Sequence, residues 1–497
     1  MDRSQTIAGL TAAGLDVLVV GGGIVGAGVA RDATMRDLRV GLVEQHDFAY
    51  GTSSRSSRLL HGGLRYLAQG RVGLVREASI EKRVVHSIAP HLAGPLPFLF
   101  PTYECPPWAT WARWKLGVGV RLYDLLCGGR NLGKSTSLNA AQMLERLPGV
   151  RRHRLTGGVY YYDGLTSDGR LVLDTLRSTA NAGGMVLNYC RMESSEPDAD
   201  GWRCRLWDRL SDTRFDVTAR CVVNATGPWA PQVRHSRVRL RLTKGVHVVV
   251  ERARLPVPCA VVMTDEKRIL FAIPWGERVI LGTTDTDYDG VIEDVQTDPE
   301  DTQYILDIVN NAFPDVALGP QDVIGDWAGL RPLIADPHGN PSDISRSHEI
   351  RSPAPGWWDV AGGKLTTYRL MAEQTVDRIG RHIGRKLPPC TTATVPLVRA
   401  EEANGVSGIV PPPVSREVVR HCCRNEWAVH LDDVMTRRTS WRFYYRDAGE
   451  TAPQVARWMA NSLGWDEERV AREVRRYAES TAKGVNGRAG AKKPALA

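Results

Sequence analysis

Two short apolar runs, 17–20 and 40–43, suit buried parallel strands, and the residues between them carry a glycine-punctuated helical repeat. Downstream, 77–88 has helical periodicity, 90–107 is proline-rich and predicts extended chain, and 157–173 predicts a strand and turn leading into a helix over 171–182. That helix should stop at Gly183 and Gly184. Runs at 202–206 and 216–223 predict strands, as do 245–250, 269–275 and 279–283. The last three fall in a block, 244–284, that predicts a sheet inserted into the domain begun by the first two strands. Short apolar runs return at 326–332 and 357–368, followed by a helix over 369–381.

Beyond Pro388 the pattern changes. Residues 391–413 lack periodicity and end in Pro411, Pro412 and Pro413, which predicts a linker. Helical segments follow, the clearest starting at an Asp466 N-cap with Trp465 and Val470 as a hydrophobic staple. Val470, Val474 and Tyr477 should face a core, and the Gly-, Ala- and Lys-rich 483–497 predicts a disordered tail. The fold class expected is α/β: a Rossmann-like domain from 1–85, 150–243 and 325–390, an interleaved mixed β-sheet substrate domain from 86–149 and 244–324, and a C-terminal helical domain over 391–482.

A chain of 497 residues is too long for one core, and 42% hydrophobic with 24% charged residues is ordinary for a globular protein. Nine cysteines form no C-x-x-C pair and no metal-ligand spacing, so they predict reduced thiols in a cytoplasmic setting and no metal site. The N-terminus lacks the pattern of a signal peptide, and no apolar run reaches the length needed to span a bilayer. The net charge of +8 is spread along the chain without a nucleic-acid motif, so no nucleic-acid partner is expected.

The densest chemistry lies in 16–44. Gly21, Gly23 and Gly26 form G-x-G-x-x-G between a strand and a helix that begins near Ile24, and the second strand ends at Glu44. The first glycine permits the tight turn, the second the approach of a pyrophosphate, and the third close helix–strand packing. An acid at Glu44 suits a ribose hydroxyl and disfavours a 2′-phosphate. A single complete fingerprint in a long chain favours one FAD over an additional NAD site.

Several further motifs occur in order: T-S-S-R-S-S-R-L-L-H-G-G-L-R-Y-L at Thr52–Leu67, N-A-T-G-P-W at Asn224–Trp229, K-G-V-H-V-V-V at Lys244–Val250, G-L-R-P-L at Gly329–Leu333 and G-G-K-L-T-T-Y-R at Gly362–Arg369. With I-P-W at Ile273–Trp275 and G-T-T-D at Gly282–Asp285, the chain closely resembles the FAD-dependent glycerol-3-phosphate dehydrogenases of the D-amino-acid-oxidase-like superfamily from about 16 to 381. Ala328 and Leu330 replace that family's usual serine and valine, and the C-terminal domain looks shorter, although 426–439 matches.

The resemblance implies oxidation of a secondary hydroxyl in glycerol 3-phosphate, with noncovalent FAD taking the hydride. It places Arg65, Tyr66, His247, Arg331 and Lys364 at the substrate, with His247 as base and Arg331 and Lys364 also in the catalytic set. A planar guanidinium suits a phosphate, and an ordinary imidazole pKa near 6.5 suits a general base. On pattern alone, a histidine in an apolar strand is more often a satisfied core residue, and Tyr66 could simply pack. The same resemblance puts His61, Gly62, Gly63 and Leu64 at the flavin and Thr52, Ser53 and Ser57 at the pyrophosphate or ribityl chain. It puts Ala225, Thr226 and Gly227 near the adenine half, and Gly362, Gly363, Lys364 and Thr366 at the flavin pyrimidine edge.

Trp108, Trp111 and Trp114 recur at helical spacing beside Arg113, Lys115 and Arg121. Tryptophan with basic residues on an amphipathic segment suits an interfacial membrane contact, and the alternative is a helix packed on its own core. Family use of membrane quinone implies a peripheral position on the inner face of the cytoplasmic membrane, and a homodimer is compatible with the sequence. Oxygen as acceptor, an amine substrate on the same fold, or a flavin-binding redox sensor without turnover are the rival expectations.

Overall fold

The computed structural model describes residues 2–67, 70–106, 109, 112–127, 131–265, 268–335 and 348–482, excluding the side chain of Arg65. Trp108, Trp111 and the tail over 483–497 therefore lie outside the described residues.

Leu15–Val20 and Val40–Val43 pair in parallel, and Thr213–Asn224 flanks Leu15–Val20 on the other side, also in parallel. Among the described residues this sheet runs His348–Ala354, Trp357–Gly362, Thr213–Asn224, Leu15–Val20, Val40–Val43, Met185–Leu187; Gly201–Asp208 also pairs with Thr213–Asn224, and Cys190–Asp198 pairs with Gly201–Asp208. The strands are apolar on both faces because both are covered. Val17 and Val19 pack under the helices Ile24–Met35, Asp168–Asn181 and Tyr368–His382, while Leu18 and Val20 meet Trp202 and Trp357 on the opposite side.

A second sheet runs Thr286–Asp287, Leu240–Glu251, Arg278–Gly282, Arg268–Trp275, Ala260–Asp265, Ala93–Tyr103, Leu155–Thr166, Leu59–Leu60 among the described residues, and Val323–Ile334 also pairs with Leu240–Glu251. Its period of two sorts the residues of Leu240–Glu251. Val246, Val248 and Val250 pack against the helix Pro299–Ala312, which leaves Thr243, Gly245 and His247 on the other face.

Sheet membership departs from the sequence reading at three strands. Leu59–Leu60, Leu155–Thr166 and most of Val323–Ile334 fall in stretches assigned to the nucleotide domain, yet they belong to the second sheet by antiparallel pairing. An antiparallel partner is chosen by register over long sequence separation, and local periodicity does not record it.

The segment expected to be a linker is pinned. Fully buried Arg31 donates to the carbonyls of Thr392 and Val395, and Leu397 N–H donates to the Ile88 carbonyl at 2.9 Å. The C-terminal helices then build their own core from Val419, Leu431, Trp441, Val455 and Tyr477. Asp466 Oδ1 accepts from Arg469 N–H at 2.7 Å, capping Glu467–Ala482 as its sequence predicts.

Candidate active site

Between the carboxyl ends of the parallel strands and the second sheet lies a cleft of about 510 Å³, within the usual range of about 300–1,000 Å³ for ligand sites. Gly21, Gly23, Ile24, Glu44, Thr52, Ser53, Ala225, Thr226, Gly227, Gly362, Gly363 and Lys364 all line it.

The three fingerprint glycines separate by role. Gly21 has φ +111°, a region unfavourable to side chains, and a Cβ on Gly26 would stand 1.9 Å from the Gly21 carbonyl oxygen. Gly23 has ordinary φ, and a Cβ there would meet only Ser53, with Oγ at 3.1 Å; it faces the cleft. At the helix start, Ile24 N–H donates to Ser53 Oγ at 3.0 Å. That positive helix end, open to the cleft, fits a pyrophosphate.

Glu44, expected at a ribose, is fixed on the cleft wall. Its two carboxylate oxygens each accept a backbone N–H at 2.8 Å, one from Gly22 and one from His46. Burial pushes the carboxyl pKa up, and these N–H groups oppose it. Cys190 to Ser195 and Trp229 complete that end of the cleft; the sequence reading missed them. Arg191 to Ser195 belong to an attached antiparallel strand, and their pattern carries no nucleotide signal.

Gly26, Ser57, His61, Gly62, Gly63, Leu64 and Thr366 do not line the cleft. Gly26 acts through packing. His61 and Thr366 tie two motifs together: Thr366 Oγ1 accepts from His61 N–H at 3.1 Å and donates to the His61 carbonyl at 3.2 Å. Gly62 N–H donates to Tyr123 Oη at 2.8 Å, and Tyr123 in turn donates to Asp163, which is paired with fully buried Lys82 at 2.9 Å. A side chain at Gly62 would collide with Tyr123 and Ser79. Gly63 lies against Tyr66, whose ring has Lys364 Nζ above it at 4.1 Å.

Ser57, expected at the pyrophosphate or ribityl chain, does not line the cleft, and its Oγ sits 2.8 Å from His247 Nε2. His247 is 2% exposed, stacks on Trp327 at 5.2 Å between ring centroids, and has no hydrogen-bond partner for Nδ1 among the described residues. Burial first, then the charges of Arg331 and Arg58, lower its pKa to about 3. The sequence pointed to the ordinary value near 6.5, and burial beside two guanidinium groups shifts it downward. Arg58, also missed, is buried with its guanidinium 4.1 Å from the Trp275 ring and 5.3 Å from the Trp327 ring.

Arg331 shares the His247 face. The pairs Thr243–Arg331, Gly245–Gly329 and His247–Trp327 lie opposite one another, so alternate residues from both strands point the same way. The guanidinium lies across Gly245, where a Cβ would stand 2.3 Å from Nη2. It donates to Thr283 Oγ1 at 2.8 Å, the Thr284 carbonyl at 3.1 Å and Asp285 Oδ1 at 3.1 Å.

Arg113–Leu126 forms an amphipathic helix. Leu116, Val120 and Tyr123 are buried, while Trp114, Val118, Leu122 and Leu125 stand out at 61%, 58%, 38% and 69% exposure. No described helix is long and apolar enough to cross a membrane.

Comparison with known proteins agrees with this architecture. Residues 16–378 match the model of the FAD-dependent oxidoreductases, and 391–470 match the C-terminal domain of alpha-glycerophosphate oxidase. The chain is 38% identical over 390 residues to the aerobic glycerol-3-phosphate dehydrogenase of Staphylococcus aureus strain USA300, covering 76% of this chain and 70% of that one. It superposes with a TM-score of 0.77 and 30% identity on the FAD-complexed glycerol-3-phosphate dehydrogenase of Bacillus halodurans, across 99% of both chains. The fold also matches the L-alpha-glycerophosphate oxidase of Mycoplasma pneumoniae, with a TM-score of 0.60 at 18% identity over 76% of this chain and 98% of that one. The chain belongs to the FAD-dependent oxidoreductase family, among the aerobic glycerol-3-phosphate dehydrogenases, and the cofactor its glycine-lined cleft takes is FAD.

Proposed function

We propose that this protein oxidises sn-glycerol 3-phosphate to dihydroxyacetone phosphate and passes the electrons to a membrane quinone. The observation that carries the reading is that Arg331 and His247 share one sheet face, while Lys364 and Pro332, the residue after Arg331, both line the cleft. A dianionic phosphate requires such cations, and a secondary alcohol requires a proton acceptor.

FAD, when bound, supplies the hydride acceptor. Gly362, Gly363 and Lys364 would approach its pyrimidine edge, and donors there favour negative charge on the reduced ring. Arg331 and Lys364 bind the phosphate, with the Tyr66 ring against Lys364. Thr283 and the Thr284 carbonyl already fix the guanidinium, so little ordering remains to be lost when phosphate arrives. His247 Nε2 takes the hydroxyl proton, directly or through Ser57 Oγ. Burial, with the charges of Arg331 and Arg58, favours the neutral imidazole that a proton acceptor must be. Phosphate on Arg331 offsets one of the charges depressing that pKa, so substrate raises the basicity of His247 when it is needed.

The apolar stripe Trp114–Leu125, with exposed Arg113 and Arg121 beside it, supports membrane contact and hence a quinone acceptor. Anaerobic titration of the purified protein with glycerol 3-phosphate should bleach the flavin stoichiometrically. Reoxidation by a ubiquinone or menaquinone analogue should then far outpace reoxidation by oxygen. No bleaching would remove the substrate assignment, and faster oxidation by oxygen would make the protein an oxidase.

A further inference from the structure

The segment from Gln45 to Arg58 carries Tyr50 to Ser53 and Ser56 on the cleft wall and Ser57 on His247, yet it holds little regular structure beyond the short turn Thr52–Ser54. Its anchor is Asp47. That carboxylate has 0% side-chain exposure and accepts from Arg437 Nε, from Arg438 Nη1, from Arg438 Nη2 at 2.8 Å and from Asn188 Nδ2 at 3.1 Å.

Both arginines come from the C-terminal helical region and are themselves fixed there. Arg438 donates to the Glu426 carbonyl at 2.7 Å, and Arg437 donates to Asp433 at 2.6 Å and Asp432 at 2.9 Å. The same region touches the segment twice more, through Trp427 edge-on to Phe48 and through Ser440 Oγ accepting from Arg58 Nη2 at 3.1 Å. Phe48 in turn covers Gly22 of the nucleotide turn, and Ala49 N–H donates to the Gly22 carbonyl at 3.0 Å. None of 426–440 lines the cleft.

We propose that the C-terminal region is a remote part of the flavin site: Arg437 and Arg438 are positioning residues that set FAD affinity by holding Asp47, and through it the wall of the cleft. A bidentate guanidinium on a buried carboxylate fixes orientation as well as charge, which a lone ammonium does not. Burial alone would raise the Asp47 pKa, and the two arginines outweigh it and hold the group ionised. This inference rests on FAD binding and not on the substrate or acceptor.

The test uses full-length apoprotein titrated with FAD. Arg438→Lys should raise the FAD dissociation constant about tenfold or more, while the control Arg472→Lys, in an exposed pair with Glu468, should leave it unchanged. In the unaltered protein, FAD should slow amide exchange in 426–440 together with 45–58, and by more than in 455–477 of the same helical region. Parental FAD affinity in Arg438→Lys overturns the proposal. Should that variant not fold, the exchange comparison decides, and equal protection of 426–440 and 455–477 overturns it as well.

Discussion

Ser57 Oγ and His247 Nε2 stand 2.8 Å apart, which joins the chain following the nucleotide turn to the strand Leu240–Glu251 of the second sheet. The pair makes a definite kinetic expectation. His247→Ala should retain FAD yet slow flavin reduction by roughly 10²–10⁴-fold, the usual worth of a general base. Ser57→Ala should slow it less, since it removes only the orientation of the ring. Stopped-flow bleaching reads the step directly, and parental rates in His247→Ala would move the base elsewhere.

The pH dependence follows with its sign. In the free protein His247 is neutral above about pH 3, so kcat/KM for reduction should show no histidine limb between pH 6 and 8. The limb for kcat should appear at higher pH than that for kcat/KM, because phosphate offsets the Arg331 charge. Stability has the matching trend. The unfolded chain takes up the His247 proton near 6.5 and the folded chain only near 3, so this group's contribution is lost as pH falls through that window, by about 1.4 kcal/mol per pH unit. An acid-unfolding profile unchanged in His247→Ala would contradict the buried neutral state.

Gly23→Val places a branched side chain on the cleft wall against Ser53, with ordinary backbone φ. The protein should fold and emerge colourless, and far-UV circular dichroism together with flavin content separates the two effects. In the parent, acid or heat should release all the FAD, since no flavin-attachment motif is present.

Phosphate recognition is tested at two depths. Arg331→Lys keeps charge but loses the planar fork, and should raise KM. Arg331→Ala should cost about 2–5 kcal/mol in kcat/KM, as for one partner of a buried charge pair. Gly245→Ala leaves Arg331 in place but denies its guanidinium the space it occupies, so KM should rise with FAD content unchanged. Parental kinetics in all three would end the assignment.

The exposed stripe predicts partition. Replacing Trp114, Val118, Leu122 and Leu125 by Ser removes side chains each worth up to about 1.5–3 kcal/mol when fully buried. Vesicle binding and quinone reduction should fall while activity with a soluble dye survives. Loss of dye activity together with quinone activity would point to a role in the fold.

The nucleotide unit was legible because its information is local: a turn at φ +111°, a helix start and an acid lie within 29 residues, 16–44, and each type is required by backbone sterics or hydrogen bonding. Strands at 40–43 and 245–250, the helix over 369–381 and the Asp466 cap were visible for the same reason. Tertiary structure decided what depends on partners distant in sequence. It set Ser57 against His247, 190 residues away, and lowered that histidine's pKa to about 3 by burying it beside Arg331. It turned the expected linker into a packed strap and brought Arg437 and Arg438 to Asp47. Burial and charge pairing are sums over neighbours from every part of the chain, and a local pattern of residue types does not contain them.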